Sequence, residues 1–282
     1  MVNNTTLIKE DFFIEAAHGK CIYGDLTRPD DTAVKGVVVF AHGFKGFKDW
    51  GHFNLVADKF AAAGLHFIKF NFSHNGTTKE EPIDFVDLEA FGNNNYSIEM
   101  NDLGQVIDWA EDYIQNNGAK VPIYLMGHSR GGGIAILKAY EDKRIKKLVT
   151  WSAVSDFETR FPKDMDRFKE EGVVYIPNAR TNQNMPLYYS IVEDFYLNFN
   201  RLDIPVVIGK IGIPFLIIHG LQDEAVPFQE AENLHSHCDT SELYLVEGGS
   251  HTFGGKHPWK EGDLPVVSAG VSGRSIDFLL RK

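Results

Sequence analysis

The sequence predicts an α/β protein: a mainly parallel central sheet flanked by helices, with an inserted cap between late strands. Two observations lead there. From Gly36 onward, short continuous apolar runs alternate with helix-like stretches. The runs lack the in-out alternation of a half-exposed strand, so both of their faces are expected to be covered. One segment, Ser152 to about Lys210, breaks the alternation and is too long for an ordinary connection between adjacent strands, which marks it as an insert.

Taken in order, Phe12-Phe13-Ile14 and Cys21-Ile22-Tyr23 flank the turn-forming His18-Gly19-Lys20 and read as a hairpin on an antiparallel edge. Buried strands follow at Val37 to Phe40, His66 to Phe70, Val121 to Met126, Leu148 to Trp151, Ile213 to Ile218 and Leu243 to Val246. Helices are placed at about Phe53 to Ala63, Ser97 to Asn116, Gly132 to Tyr140, Gln229 to His237 and Ser275 to Leu280. Within the insert, Phe157, Phe161, Met165 and Phe168 recur at helical spacing, Val173 to Ile176 resembles a short strand, and Leu187, Ile191 and Phe195 mark a second amphipathic helix. The chain thus divides into a first core part (1–151), a cap or lid (152–210) and a second core part (211–282). The aromatic load of the insert suggests a lid, against the plainer reading that these stripes only pack it onto the body.

Composition narrows the function classes. With 282 residues, 43% hydrophobic and 24% charged, the chain can bury one sizeable core. A net charge of -11 with no dense basic run argues against a nucleic-acid partner. Cys21 and Cys238 are expected to be reduced thiols, because a chain of this size needs no staple. The first fifteen residues carry Lys9, Glu10 and Asp11 among short apolar pieces, and no segment approaches the ~20 apolar residues of a membrane span. A cytoplasmic protein without a membrane partner is therefore expected. A homodimer is admitted, but no sequence feature specifies one.

The chemistry concentrates in Gly127-His128-Ser129-Arg130-Gly131, which follows an apolar run and precedes a helix-like one. A serine at such a strand-to-helix turn projects its hydroxyl above the sheet and is placed to attack a carbonyl. It needs a base, and the base needs a carboxylate to fix its tautomer and stabilise the imidazolium. Asp223, in His219-Gly220-Leu221-Gln222-Asp223 after an apolar run, is the candidate acid; the adjacent Glu224 competes but reads as a solvated loop charge. His251, in Glu247-Gly248-Gly249-Ser250-His251 after the last strand, is the candidate base. The oxyanion of the tetrahedral intermediate requires preorganised amides. These are assigned to Arg130, directly after the serine, and Phe44, in the loop Ala41-His42-Gly43-Phe44-Lys45-Gly46. His42 is read as holding that loop by hydrogen bonds, not as a second base. His235, His237 and Cys238 offer no second ligand cluster for zinc, and Gly131-Gly132-Gly133 lacks the ending of a phosphate loop, so neither metal nor cofactor is expected.

Together, Gly127 to Gly131, His42-Gly43-Phe44, His219-Gly220 with Asp223, and His251 resemble an α/β-hydrolase over nearly the whole chain outside the cap. The chain is most similar to the branch holding dienelactone-hydrolase-like proteins, prolyl-oligopeptidase-like catalytic domains and cinnamoyl or feruloyl esterases. The chain order Ser129, Asp223, His251 is the order of that fold. The resemblance implies a serine hydrolase acting on carboxylic esters of small aromatic or short acyl groups, with Tyr175, Tyr188, Tyr189 and Tyr196 as candidate cap residues for a phenolic acyl group. It leaves open a thioesterase, an acyltransferase, a small peptidase, or a ligand binder that has lost turnover. Two departures weaken particular members: a serine stands where true dienelactone hydrolases carry cysteine, and the chain has no length for the propeller of prolyl oligopeptidases.

Overall fold

The computed structural model describes residues 6–16, 18–30 and 33–281. The amino-terminal hairpin, β1 (Leu7–Glu15) and β2 (Cys21–Pro29), leads into β3 (Gly36–Ala41), α1 (Phe53–Ala62), β4 (Leu65–Asn71), α2 (Leu88–Asn93), α3 (Tyr96–Asn116), β5 (Ile123–His128), α4 (Arg130–Glu141) and β6 (Ile145–Trp151). After β6 the inserted segment holds α5 (Met165–Glu171), a separate hairpin of β7 (Val173–Asn178) and β8 (Gln183–Tyr188), then α6 (Ser190–Leu197), α7 (Phe199–Leu202) and α8 (Ile204–Ile208). The main fold resumes with β9 (Phe215–Gly220), α9 (Gln229–Ser236), β10 (Ser241–Val246) and α10 (Val266–Leu280).

Eight strands form one sheet in the order β1-β2-β4-β3-β5-β6-β9-β10. The first two join antiparallel, and every pairing from β4 to β10 is parallel. All residues of β3, β4, β5 and β9 are buried, as their unbroken apolar runs require of strands covered on both faces. One face is covered by α1 and α10, packing Phe53, Phe60, Val271 and Phe278 against Val38, Phe67 and Trp151. The other is covered by α3 and α4, packing Leu103, Ile107, Ile134 and Leu137 against Val37, Val39 and Leu125. Cap residues Phe168, Ile191, Phe195, Ile204 and Val207 belong to this second cluster, so the insert is fused to the core along one flank.

This topology fixes where a ligand can sit. From β3 the chain steps outward to β4 and then returns to the other side of β3 as β5, with α1 and α4 on opposite faces. The connections diverge there and leave a crevice at the carboxyl ends of β3 and β5.

The structure departs from the sequence reading at four places; the first is β10, which ends the sheet and leaves Tyr244 39% exposed instead of being covered on both faces. α10 begins at Val266, not Ser275, because its buried face is lined by Ser268, Ser272 and Ser275, which hide its apolar period; Ser275 accepts the Trp151 indole N–H at 3.0 Å. Leu187 lies in β8 and not in a helix with Ile191. Phe157 and Phe161 precede α5, bracketing a single 3-10 turn. Both cysteines are free thiols. Among the described residues, no helix is long and apolar enough to cross a membrane.

Candidate active site

Ser129 sits between the end of β5 and the start of α4 with φ 56° and ψ -122°, a backbone state that L-residues rarely occupy. Its amide donates to the Trp151 carbonyl at 2.9 Å, and its carbonyl accepts from Gly132 at 2.9 Å, so the corner is held from β6 and from the first turn of α4. The flanking glycines are there for close approach. A Cβ at Gly127 would lie 2.3 Å from the Gly131 carbonyl oxygen, and one at Gly131 would lie 2.3 Å from that of His42. The β3 loop is thereby drawn against the serine, with Gly43 packed on the Ser129 Cβ.

Asp223 and His251 come from the neighbouring strand ends. The loops after β9 and β10 meet backbone to backbone, since a Cβ at Gly220 would lie 2.2 Å from the Gly249 carbonyl oxygen. Across that junction His251 Nδ1 donates to both Asp223 oxygens, at 3.0 and 2.9 Å. This bond leaves Nε2 of the neutral ring as the free acceptor, the tautomer a general base requires. Burial alone would raise the Asp223 carboxyl, but bonds from His219 and His251 and the Val226 amide outweigh it and hold the group far below the usual carboxylate range. Glu224 accepts instead from the backbone amide of His251 at 3.2 Å. His128 Nε2 donates to the carbonyl of His251 at 2.9 Å, so the candidate base is held through both its backbone amide and its carbonyl. Burial, with His251 beside it, lowers His128 to about 3 and keeps it a neutral donor.

Ser129 and His251 both line two adjoining cavities of about 220 and 350 Å³. Among the side-chain hydrogen bonds of the described residues none joins the two, a spacing common in unliganded sites that tighten around substrate. Among the described residues, no hydrogen bond involves the Phe44 or Arg130 amide, the pair assigned to the oxyanion, and both residues line the larger cavity. His42 Nδ1 donates to the Gly43 carbonyl at 2.9 Å and its Nε2 accepts from the Phe72 amide at 3.4 Å. Burial lowers it to about 4, so it holds the loop as a neutral ring.

The larger cavity has an aromatic and aliphatic wall of Tyr96, Phe157, Phe161, Ile176, Leu187 and Ile191, with Lys45, Arg130 and Arg160 also at its lining. The four cap tyrosines are not in it. Tyr175 is 63% exposed, because strand alternation in β7 turns Ile176 inward and Tyr175 out. Tyr196 is 52% exposed on the outer face of α6 and bonds Glu158; Tyr188 bonds Glu89 at 2.7 Å; Tyr189 packs on Phe168. Arg130 enters the cavity wall with its guanidinium over the Phe44 and Tyr96 rings, at 4.6 and 5.0 Å, and Glu99 behind it at 3.3 Å. The role of this side chain was not legible in sequence, where only its amide was assigned.

The family model described as serine aminopeptidase, S33 (Hydrolase_4) matches residues 32–191, more than half of the chain. The chain belongs to this hydrolase family. No curated protein sequence matches it. Among solved structures, ferulic-acid-bound Est1E from Butyrivibrio proteoclasticus is similar, with a TM-score of 0.71 and 20% identity over 96% of this chain and 100% of that one. So is a dienelactone hydrolase from Anabaena variabilis, with a TM-score of 0.63 and 17% identity over 96% and 98%. The α/β hydrolase GrgF from a Penicillium species gives a TM-score of 0.66 and 17% identity over the same shares. At such identities these likenesses speak to fold, and the S33 chain has the α/β-hydrolase fold that its motifs imply.

Proposed function

We propose that the protein is a serine hydrolase that cleaves carboxylic esters through an acyl-enzyme. The observation that carries the reading is the Asp223–His251 bond set beside the strained Ser129 corner, with the serine and the imidazole lining the same cavities. Ser129 Oγ attacks the ester carbonyl while His251 Nε2 takes its proton, and ionised Asp223 stabilises the resulting imidazolium. The Phe44 and Arg130 amides receive the oxyanion. Collapse breaks the carbon–oxygen bond, and the imidazolium returns its proton to the departing alkoxide. Water, deprotonated by His251, then attacks the acyl-enzyme and releases the acid.

The larger cavity suits the acyl group. Its wall of aromatic and aliphatic side chains fits a small aromatic acid, of which a cinnamoyl or feruloyl group is an example, or a short acyl chain. An aminopeptidase, as the family description would have it, is disfavoured by charge. Among the described residues no Asp or Glu lines either cavity, whereas Lys45, Arg130, Arg160 and Arg180 do, so a substrate's free ammonium would meet cations there instead of a counter-ion. A panel of aryl and alkyl esters run beside aminoacyl amides tests this directly. Turnover of the esters is expected; turnover of the amides alone would overturn the ester reading while leaving the triad intact.

A further inference from the structure

We propose that a buried ring of four charges, Asp25, Lys48, Asp49 and Lys69, is a positioning device that holds the Phe44 amide toward the oxyanion. This rests on the ester reading above and extends its machinery to residues that never meet the substrate.

Asp25 on β2 and Lys69 on β4 are fully buried, and the loop after β3 lays Lys48 and Asp49 onto them. Asp25 Oδ2 accepts from Lys48 Nζ at 2.6 Å and from Lys69 Nζ at 2.7 Å. Asp49 accepts from the same two ammoniums through its separate oxygens, at 2.5 Å each. Charges therefore alternate around the ring and cancel. Lys9, partly exposed, approaches from outside at 3.4 Å from Asp25 and 3.6 Å from Asp49. Burial alone would raise the Asp49 carboxyl, but Lys69 and Lys48 outweigh it and hold the group well below the usual carboxylate range, so the ring is ionic.

Stability is a poor account of this arrangement. Taking the charges out of water offsets most of their mutual attraction, and apolar side chains of similar volume commonly serve as well or better. Asp25 Oδ1 is moreover buried without a hydrogen-bond partner among the described residues, so the ring is not fully satisfied. What the charges add is direction, because each bond fixes a distance and an angle, whereas an apolar contact such as Phe47 against Phe85 does not.

The tied loop is the one that needs holding. An amide left free for an oxyanion favours any relaxation that lets it bond elsewhere, so it stays in place only where the surroundings over-determine it. Phe44 lies between two anchors. On one side Gly43 packs on the Ser129 Cβ. On the other the Lys48 amide donates to Asn71 Oδ1 at 2.6 Å while its side chain enters the ring. Between them Lys45 takes φ 55° and the Gly46 amide closes onto the Gly43 carbonyl at 3.0 Å. A shift of Lys48 is thus passed to Phe44 along a short closed turn.

The test replaces one side of the ring at a time with apolar side chains, so that no unpaired charge is left behind. Asp25→Leu with Lys69→Met removes the sheet side, and Lys48→Met with Asp49→Leu removes the loop side. Each pair is expected to fold with a melting temperature near that of wild type. Ester kcat should fall about tenfold to a hundredfold, short of the loss of a whole oxyanion donor, with KM within about twofold. Affinity for a trifluoromethyl ketone bearing the same acyl group, whose adduct sets its oxyanion on those amides, should fall by a similar factor. The pH profile of kcat/KM should keep its shape, because Asp223 and His251 are untouched. Native kcat in either folded pair, a defect confined to KM, or unchanged ketone affinity would overturn the proposal. So would failure of both pairs to fold, which would make the ring a requirement of the fold. Fluorophosphonate labelling of wild type separates the two failures: labelled wild type with unaffected variants sinks the ring alone, whereas absence of labelling removes the hydrolase reading beneath it.

Discussion

Among the described residues, Ser73 with His18, His74 and Asp102 forms a second grouping of Ser, His and Asp beside that of Ser129, His251 and Asp223, and the two differ in their setting. At the second, Ser73 Oγ lies 3.1 Å from His18 Nε2 and 2.8 Å from His74 Nδ1, while Asp102 meets His18 Nε2 at 3.1 Å and accepts the Ser73 amide at 2.8 Å. By residue type and bond length it looks as well formed as the pair at His251. It differs in what surrounds it. Ser73 is 6% exposed, has ordinary negative φ and lines neither cavity, whereas Ser129 stands on a strained corner open to both. The carboxylates also move in opposite directions: burial dominates at Asp102 and raises it, while at Asp223 the bonds from His219, His251 and Val226 overcome burial and keep it ionised. The proposed nucleophile is thus set apart by strain, access and a carboxylate that stays charged, and the shared residue types alone predict little.

The largest expected contrast is between the serines. Ser129→Ala should lower ester turnover by roughly 10⁴- to 10⁶-fold in steady-state kinetics. Ser73→Ala should leave turnover within about threefold but lower stability by about 1–3 kcal/mol in urea unfolding, because the buried His74 loses its hydroxyl partner. Next come the acids. Asp223→Asn is expected to reduce kcat by roughly 10⁴, since the imidazole is then offered the wrong tautomer, and to lower the melting temperature as well, because a buried carboxylate held by His219, His251 and the Val226 amide is lost. Asp102→Asn should lower the melting temperature alone, with near-native kcat. If the two acid variants gave the same kinetic defect, the distinction drawn between the assemblies would fail.

A third contrast lies in the pH dependence. Burial lowers His42, His52 and His74 to about 4 and His128 to about 3, against an unfolded value near 6.5. The unfolded chain binds protons first as pH falls, so stability is full above about pH 6.5 and is lost progressively toward about pH 4. Asp223, depressed below its unfolded value, contributes stability above about pH 4 that is lost only at far lower pH. Thermal melts across this range should decline steadily from pH 6.5, and a melting temperature flat down to pH 4 would contradict the neutral burial of these rings.

Much of the main fold was legible because continuous apolar runs read directly as two-faced buried strands, and the loops at their carboxyl ends carry the assigned chemistry. The placement of the candidates Ser129, Asp223 and His251 at strand ends was readable from the same runs: the first two follow the buried β5 and β9, and His251 lies a few residues beyond the edge strand β10. What sequence hid was orientation. The four tyrosines have the right chemistry for a phenolic pocket and face away from it, while Phe157, Phe161 and Ile176 line it. β8 was obscured by its Gln183-Asn184-Met185-Pro186 start, and the first half of α10 by its serine-rich buried face. The second assembly draws on residues 18, 73, 74 and 102, and the buried ring of charges on residues 25, 48, 49 and 69; neither leaves a local motif to find.

The most direct measurement is mass-spectrometric mapping of the adduct left by a fluorophosphonate on the native protein. The account predicts one modified residue, Ser129, and none in the Ser129→Ala variant. An adduct on Ser73, or equal modification of both proteins, would contradict it.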